Sequence, residues 1–415
     1  MILLRSLENL DLLPEPDDHR ILTAIDSKAP GYPGSDYGLS DEEAQQLRWP
    51  MGPIKKYLWP NGAILFSLFT LLLIAGWPWI NSYLIPILPD SEWAYEDSGI
   101  RQLQSEGYFG QGVHVCIVDT GVDIEHPDFS HQKLLGFRDF VSGNHDSVRD
   151  VGESSHGTLM TGILISNGTS KGVAPEVGLS VALALDSEGT SGSTDRVAQA
   201  IRWCRITQKV DIISLSLGGS PSQFNSGAGS QTNSAVQEAL DAGIFVVAAA
   251  GNTGLDLEIN DVSQPSSIPG VISVGAISKS GNVWGSSAFG SSIDPVTGEE
   301  RDFPNQKPEV LAPGVNIFST ASSALPSPYA YSSGTSDSTV FVSGALALII
   351  QQFGEDIEGS DGIIDENEMS LVKQALATSS DRTNFESDTH NSHSGYGSLD
   401  LVEWSNEVAF LFNVA

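Results

Sequence analysis

The chain has 415 residues, 40% of them hydrophobic and 17% charged, which suits a packed core and excludes wholesale disorder. Its formal net charge of −32 makes a surface that repels nucleic acid and excludes it as a partner. Two cysteines, Cys116 in an apolar run and Cys204 in a helical pattern, read as buried thiols; a disulfide between them cannot be argued from sequence.

Residues 1–54 are acidic and dense in turn-forming Pro, Gly, Asp and Ser, so they predict a mostly unstructured tail, with a short helix capped by Ser40. Residues 55–89 carry a membrane signal. From 57 to 88 there is no charged side chain, and a bilayer core needs about 20 apolar residues in a helix, so the run is long enough even with Pro78 inside it. Lys55 and Lys56 flank the near end, while Asp90 and Glu92 flank the far end. That bias predicts one uncleaved transmembrane helix with a cytoplasmic N-terminus, in a single-pass protein of the cell membrane whose remainder lies outside.

Residues 90–415 alternate two kinds of segment. "VHVCIVD", "VGLSVALAL", "DIISLSLG", "GIFVVAAAG" and "GVISVGAIS" are short runs rich in Val and Ile, the pattern of strands buried on both faces. Helical patterns such as 195–208 and 234–241 lie between them. The alternation predicts an α/β domain with a mainly parallel central sheet and helices on both faces. In such sheets the site lies beyond the carboxyl ends of the strands.

Polar residues stand at those places. Asp119 ends the first apolar run, His156 opens a helix in "SSHGTLMTGIL", and Ser336 sits in a Gly-Thr-Ser turn before a long apolar helix. Singly, each has an ordinary reading as a turn or cap residue. Together, "DTGVD", "HGT" and "GTS" resemble the signature motifs of the subtilisin-like serine proteases, whose chain order Asp, His, Ser they share. Further matches follow in order. "SLSLGG" (214–219) resembles the substrate-binding strand and "AAAGN" (248–252) the wall of the primary specificity pocket. "KPEVLAPGVNIFST" (307–320) resembles the approach to the nucleophile and "GYGSLDL" (395–401) the closing segment. The resemblance covers residues 93–402.

It implies a serine endopeptidase cutting extracytoplasmic polypeptides through an acyl-enzyme, with no cofactor needed for the chemistry. His156 would take the Ser336 proton, Asp119 would hold the imidazole, and Asn252 with the Ser336 backbone N–H would stabilise the oxyanion. Substrate contacts fall to Ser216, Leu217, Gly218, Gly219, Ala249, Gly251 and Thr335, with Gly192 opposite, where an extended peptide pairs by strand addition. The small residues of "AAAG", with Ser263 near the pocket base, imply room for a large apolar side chain. Asp256, Glu258 and Asp261 imply instead an attraction for basic ones.

Three features depart from the family's usual pattern. Asp337 follows the nucleophile where a methionine is usual; it is expected to raise the pKa of His156, and either to slow acylation or to favour a basic residue after the scissile bond. The stretch between the membrane segment and Asp119 leaves no room for a folded inhibitory propeptide. In the acidic insert "GEDIEGSDGIIDENEMS", Asp361, Asp365 and Glu368 keep the spacing of half a calcium loop, so a structural calcium ion stands beside the plainer reading of a solvated acidic loop. The rival function is a catalytically weak relative that binds peptides without cutting them. An aspartic protease is excluded because "EDSG" and "VDTG" lie too close together for two lobes, and no Gly-x-Ser-x-Gly elbow marks a lipase-type site.

Overall fold

The computed structural model describes residues 61–84, 90–143, 147–188, 194–219, 228–256, 261–294, 297–359, 362–385 and 389–414. The tail assigned to residues 1–54 lies outside them, as do Gly192, Glu258 and Asp361. The chain divides into two units, Met1–Ile87 and Leu88–Ala415.

In the first unit, the uncharged run forms helix α1 (Asn61–Leu84), which continues through Pro78. Its 24 residues extend about 36 Å at 1.5 Å per residue, and its described apolar stretch is Asn61–Trp77. Leu65, Phe66, Phe69, Leu71, Leu72 and Ile74 are all exposed.

In the second unit, the Val- and Ile-rich runs become parallel strands: β1 (His114–Asp119), β2 (Gly136–Asp139), β3 (Gly178–Leu183), β4 (Ile212–Leu215), β5 (Phe245–Ala249), β6 (Ile272–Ile277) and β7 (Val310–Pro313). They form one sheet in the order β2-β3-β1-β4-β5-β6-β7. Every residue of β4, β5, β6 and β7 is buried, as expected of strands covered on both faces. β1 pairs with β3 from His114↔Gly178 to Asp119↔Leu183 and on its other edge with β4. The strand order therefore reverses beside β1, and Asp119 sits at the crevice where such sheets bind ligands.

Two helices opening towards that crevice carry the other motifs. α4 (His156–Ile165) is preceded by two short helices, α2 (Glu92–Asp97) and α3 (Ile100–Ser105). α5 (Thr194–Trp203) and α6 (Ala228–Leu240) follow, and then α7 (Thr335–Glu358). Among the described residues α7 is the one helix long and apolar enough by length and composition to cross a membrane, but 67% of its most apolar window is buried, and it forms the core of this domain. Val340, Phe341, Leu346, Leu348 and Ile349 are fully buried along it, each side chain stabilising the fold by about 1.5–3 kcal/mol. A hairpin of β8 (Val315–Thr320) and β9 (Tyr329–Ser333) precedes α7; α8 (Glu366–Ser379) and α9 (Leu401–Leu411) follow it.

The structure bears on two points the sequence left open. Cys116 and Cys204 are joined in a disulfide spanning 88 residues of sequence, because packing brings β1 beside the end of α5, a proximity that linear spacing cannot reveal. Asp365 and Glu368 form a capping box at the start of α8: Asp365 accepts from the Asn367 and Glu368 N–H groups, and Glu368 reaches back to the Asp365 N–H. An Asp-x-x-Glu pair serves either purpose, and here the carboxylates satisfy orphan helix donors. Among the described residues no three His, Cys, Asp or Glu gather as a metal site.

Candidate active site

Asp119, the last residue of β1, is fully buried. Its Oδ1 accepts from the Thr120 N–H and lies 2.7 Å from His156 Nδ1. The Thr120 hydroxyl accepts from the Gly157 N–H at 2.9 Å and donates to Asp150 Oδ1 at 2.7 Å. Asp150 also takes the Gly152 N–H on Oδ1 and both the N–H and hydroxyl of Thr158 on Oδ2. This carboxylate fastens the end of β1 to the first turn of α4 and so fixes the imidazole. Sequence reading missed Asp150; the signal available was the pair of threonines in "DTG" and "HGT", both of which bind it. Gly157 is required at this junction because a Cβ there would stand 2.0 Å from the Gly121 carbonyl oxygen.

Burial alone would depress the His156 pKa, but the adjoining Asp119 carboxylate overrides it, with smaller contributions from Asp337 and Asp150, and lifts it to about 9.

Ser336 is the second residue of α7, where the helix dipole and unpaired N–H groups favour negative charge. Its hydroxyl donates to the Ser216 carbonyl at 3.2 Å, and the Ser216 hydroxyl donates to the Ser336 carbonyl at 3.1 Å. No hydrogen bond in the structure joins Ser336 to His156, a bond that in unliganded enzymes is often long or misaligned. Asn252 turns its carbonyl oxygen to Thr335, whose N–H and hydroxyl donate to it at 3.1 and 2.9 Å. Thr335 Oγ1 in turn accepts from the Gly251 N–H.

His156, Ser336, Asn252 and Thr335 line one open cleft of about 400 Å³ together with Ser216, Leu217, Gly218, Gly219, Ala249, Gly251, Ser263 and Glu188. Asp119 stands behind His156. Two observations bear on the expected substrate contacts. Gly219 bonds Gln264 through both its N–H and its carbonyl, so pairing with a peptide falls to its neighbours. Ser263 also stands close to the Gly218 and Gly251 backbone in the same cleft. A Cβ on Gly218 would lie 2.7 Å from Ser263 Cβ, and one on Gly251, itself at φ +109°, 2.1 Å from its Oγ.

The acids are likewise placed. Asp261 is buried and neutralised by Arg301 at 2.9 Å, so it does not attract a basic substrate. Asp337 is 1% exposed and accepts from the Ser332 hydroxyl at 3.0 Å, so its carboxylate is buried rather than open to a substrate side chain. Burial pushes its carboxyl up to about 7, against the Ser332 hydrogen bond and nearby His156, which pull it down.

The Subtilase family model matches residues 110–397, which contain every residue of this cleft. The chain belongs to the subtilase family of serine endopeptidases. It is 36% identical over 257 residues to the Major intracellular serine protease of Bacillus subtilis (strain 168), covering 60% of this chain and 71% of that one. It is 34% identical over 253 residues to Subtilisin E of the same organism, spanning 58% of that relative's length. Serine protease AprX, also of Bacillus subtilis (strain 168), is 34% identical over 269 residues and likewise spanned over 58%.

Proposed function

We propose that this subtilase hydrolyses internal peptide bonds of extracytoplasmic polypeptides with Asp119, His156 and Ser336 as its triad. One observation carries the reading: His156, bonded to buried Asp119, shares a cleft with Ser336 at a helix N-terminus and with Asn252. Ser336 Oγ attacks the scissile carbonyl carbon as His156 Nε2 takes the hydroxyl proton. The tetrahedral oxyanion is held by the Asn252 side-chain amide, whose other end Thr335 fixes, and by the Ser336 backbone N–H. His156 then protonates the leaving nitrogen as the C–N bond breaks, giving the acyl-enzyme and a free amine. Water, deprotonated by His156, attacks the ester and releases the acid with Ser336 restored. The substrate backbone lies along Ser216, Leu217 and Gly218, its side chain entering beside Ala249, Gly251 and Thr335, and the residues present need no cofactor.

The same proposal assigns residues 1–54 to the cytoplasm, 55–89 to a transmembrane anchor and 90–415 to the outside. The length and exposed apolar side chains of α1 support the anchor. The Cys116–Cys204 disulfide supports an oxidising compartment for the domain. Retention of the full chain in membranes after an alkaline carbonate wash is expected; release into the supernatant would remove the anchor from the reading.

A second reading, a peptide binder that cuts feebly, is favoured by the Ser336 hydroxyl bonding Ser216 rather than His156. Fluorophosphonate labelling of the purified chain beside a Ser336→Ala control separates the two. Labelling of the wild type alone is expected for the protease; a folded wild type that never labels would leave the binder.

A further inference from the structure

Ser336 is followed by an acid that the proposed chemistry does not use. Asp337 lies in the first turn of α7, buried, with Oδ2 accepting from Ser332 on β9 and Oδ1 buried without a hydrogen-bond partner among the described residues. Three elements face it. α4 presents His156, whose charge Asp337 feels and affects. β9 presents only the Ser332 hydroxyl. α2 presents Tyr95, whose ring packs on Phe341 at 4.8 Å, one turn beyond Asp337, and whose buried hydroxyl also lacks a partner. Behind Tyr95, the Arg101 guanidinium stands 4.2 Å from the ring and is bound to Glu92. Asp119 and Asp150 face His156 from its other sides.

A buried carboxyl with one hydroxyl partner is costly to ionise, while a helix N-terminus and a neighbouring imidazolium favour the anion. These influences oppose each other closely enough for both forms to be populated in the working range. We propose that Asp337 is a positioning residue for the reaction: its buried carboxylate, once ionised, holds the proton on His156 and so delays the onset of activity to alkaline pH. The proposal rests on the triad reading above. The sign follows from charge alone. An anion near the imidazole stabilises the imidazolium, which cannot accept the Ser336 proton, and the same anion opposes the oxyanion forming one residue away. Ionisation of Asp337 therefore shifts the acid limb of kcat/KM that His156 sets.

The test is the pH dependence of kcat/KM on a peptide substrate for wild type, Asp337→Asn and Ser332→Ala. Asp337→Asn keeps the shape, removes the charge and should move the acid limb down by about one pH unit. One unit below the wild-type midpoint it should then raise kcat/KM by nearly tenfold. Ser332→Ala removes the hydrogen bond that favours the anion and should move the limb the same way by less. An unmoved limb in folded Asp337→Asn overturns the proposal. Should that variant fail to fold, an unmoved limb in folded Asp337→Ser overturns it. Fluorophosphonate labelling at alkaline pH keeps the two failures apart. Wild type that labels while the limb stays put sinks the role of Asp337 alone, and wild type that labels at no pH sinks the triad reading itself.

Discussion

Asn252 Oδ1 accepts two hydrogen bonds from Thr335, one from its N–H at 3.1 Å and one from its hydroxyl at 2.9 Å. With its oxygen held, the amide has one orientation left, and its NH₂ is committed to the cleft beside Ser336. An amide aimed before the substrate arrives needs no reorganisation in the transition state. Asn252→Leu should lower kcat by about 10²–10³ with little change in KM. Thr335→Val removes the hydroxyl that binds both Asn252 and the Gly251 N–H, and should cost about tenfold in kcat. Steady-state kinetics on a peptide ester and an amide check both. A KM effect without a kcat effect would place Asn252 in ground-state binding instead.

In the proposed binding mode the side chain preceding the scissile bond enters beside Ser263, which lies close to Gly218 and Gly251. The expected preference is for small side chains such as Ala over Phe or Leu. Ser263→Gly should invert it, raising kcat/KM for a Phe substrate by about 10-fold or more, since one added methylene in an apolar pocket is worth about 1–3 kcal/mol. A peptide library read by mass spectrometry decides. Equal cleavage after Phe in wild type and variant would show that Ser263 does not set the depth.

Much of this was legible in the letters. The Val- and Ile-rich runs became β1, β3, β4, β5 and β6 because an apolar run between turn residues has few other ways to bury itself. Asp119, His156 and Ser336 fall at a strand end and two helix starts as their neighbours required. β2, only four residues with a mixed burial pattern, gave no such signal. The facing direction of a side chain is also absent from the sequence. Asp337 could be placed on the first turn of a helix, but whether it faced cleft or core depended on Ser332, Tyr95 and Phe341 arriving from elsewhere. The disulfide is hidden for the same reason; the sequence places Ser263 near the pocket base but not its close approach to Gly218 and Gly251.

Closing a loop of 88 residues, the Cys116–Cys204 bond restricts the unfolded chain, and its loss should destabilise the domain by up to about 4–5 kcal/mol. The Cys116→Ala, Cys204→Ala double variant should show a lower denaturation midpoint, and a reductant should reproduce the loss in wild type without further effect on the variant. Equal midpoints in all cases would show that the bond adds nothing to equilibrium stability.

Beneath β6 and β7, two lysines share one carboxylate: Lys307 Nζ lies 2.7 Å and Lys373 Nζ 2.9 Å from Glu309 Oε1, all three buried. Both lysines also donate to the Val271 carbonyl, and Glu309 Oε2 accepts from the Ser273 N–H. Two cations against one anion leave an excess charge. Burial pulls Lys307 down from its ordinary 10.5 to about 7, helped by Lys373 and opposed by Glu309. Between these values the unfolded chain binds more protons than the folded one, so the Lys307 contribution to stability rises with pH from about 7 to 10.5, by a few kcal/mol. Below the lower value both states are protonated and the contribution is flat at its minimum. Lys307→Met should remove this rise and raise stability at neutral pH, because Lys373 still pairs with Glu309 and still reaches Val271. Glu309→Gln does the opposite, leaving buried Lys373 without its anion, and should destabilise by about 3–5 kcal/mol. Denaturant unfolding from pH 6 to 10 checks the set. A Lys307→Met variant that keeps the wild-type slope would show that Lys307 stays charged in the fold across the whole range.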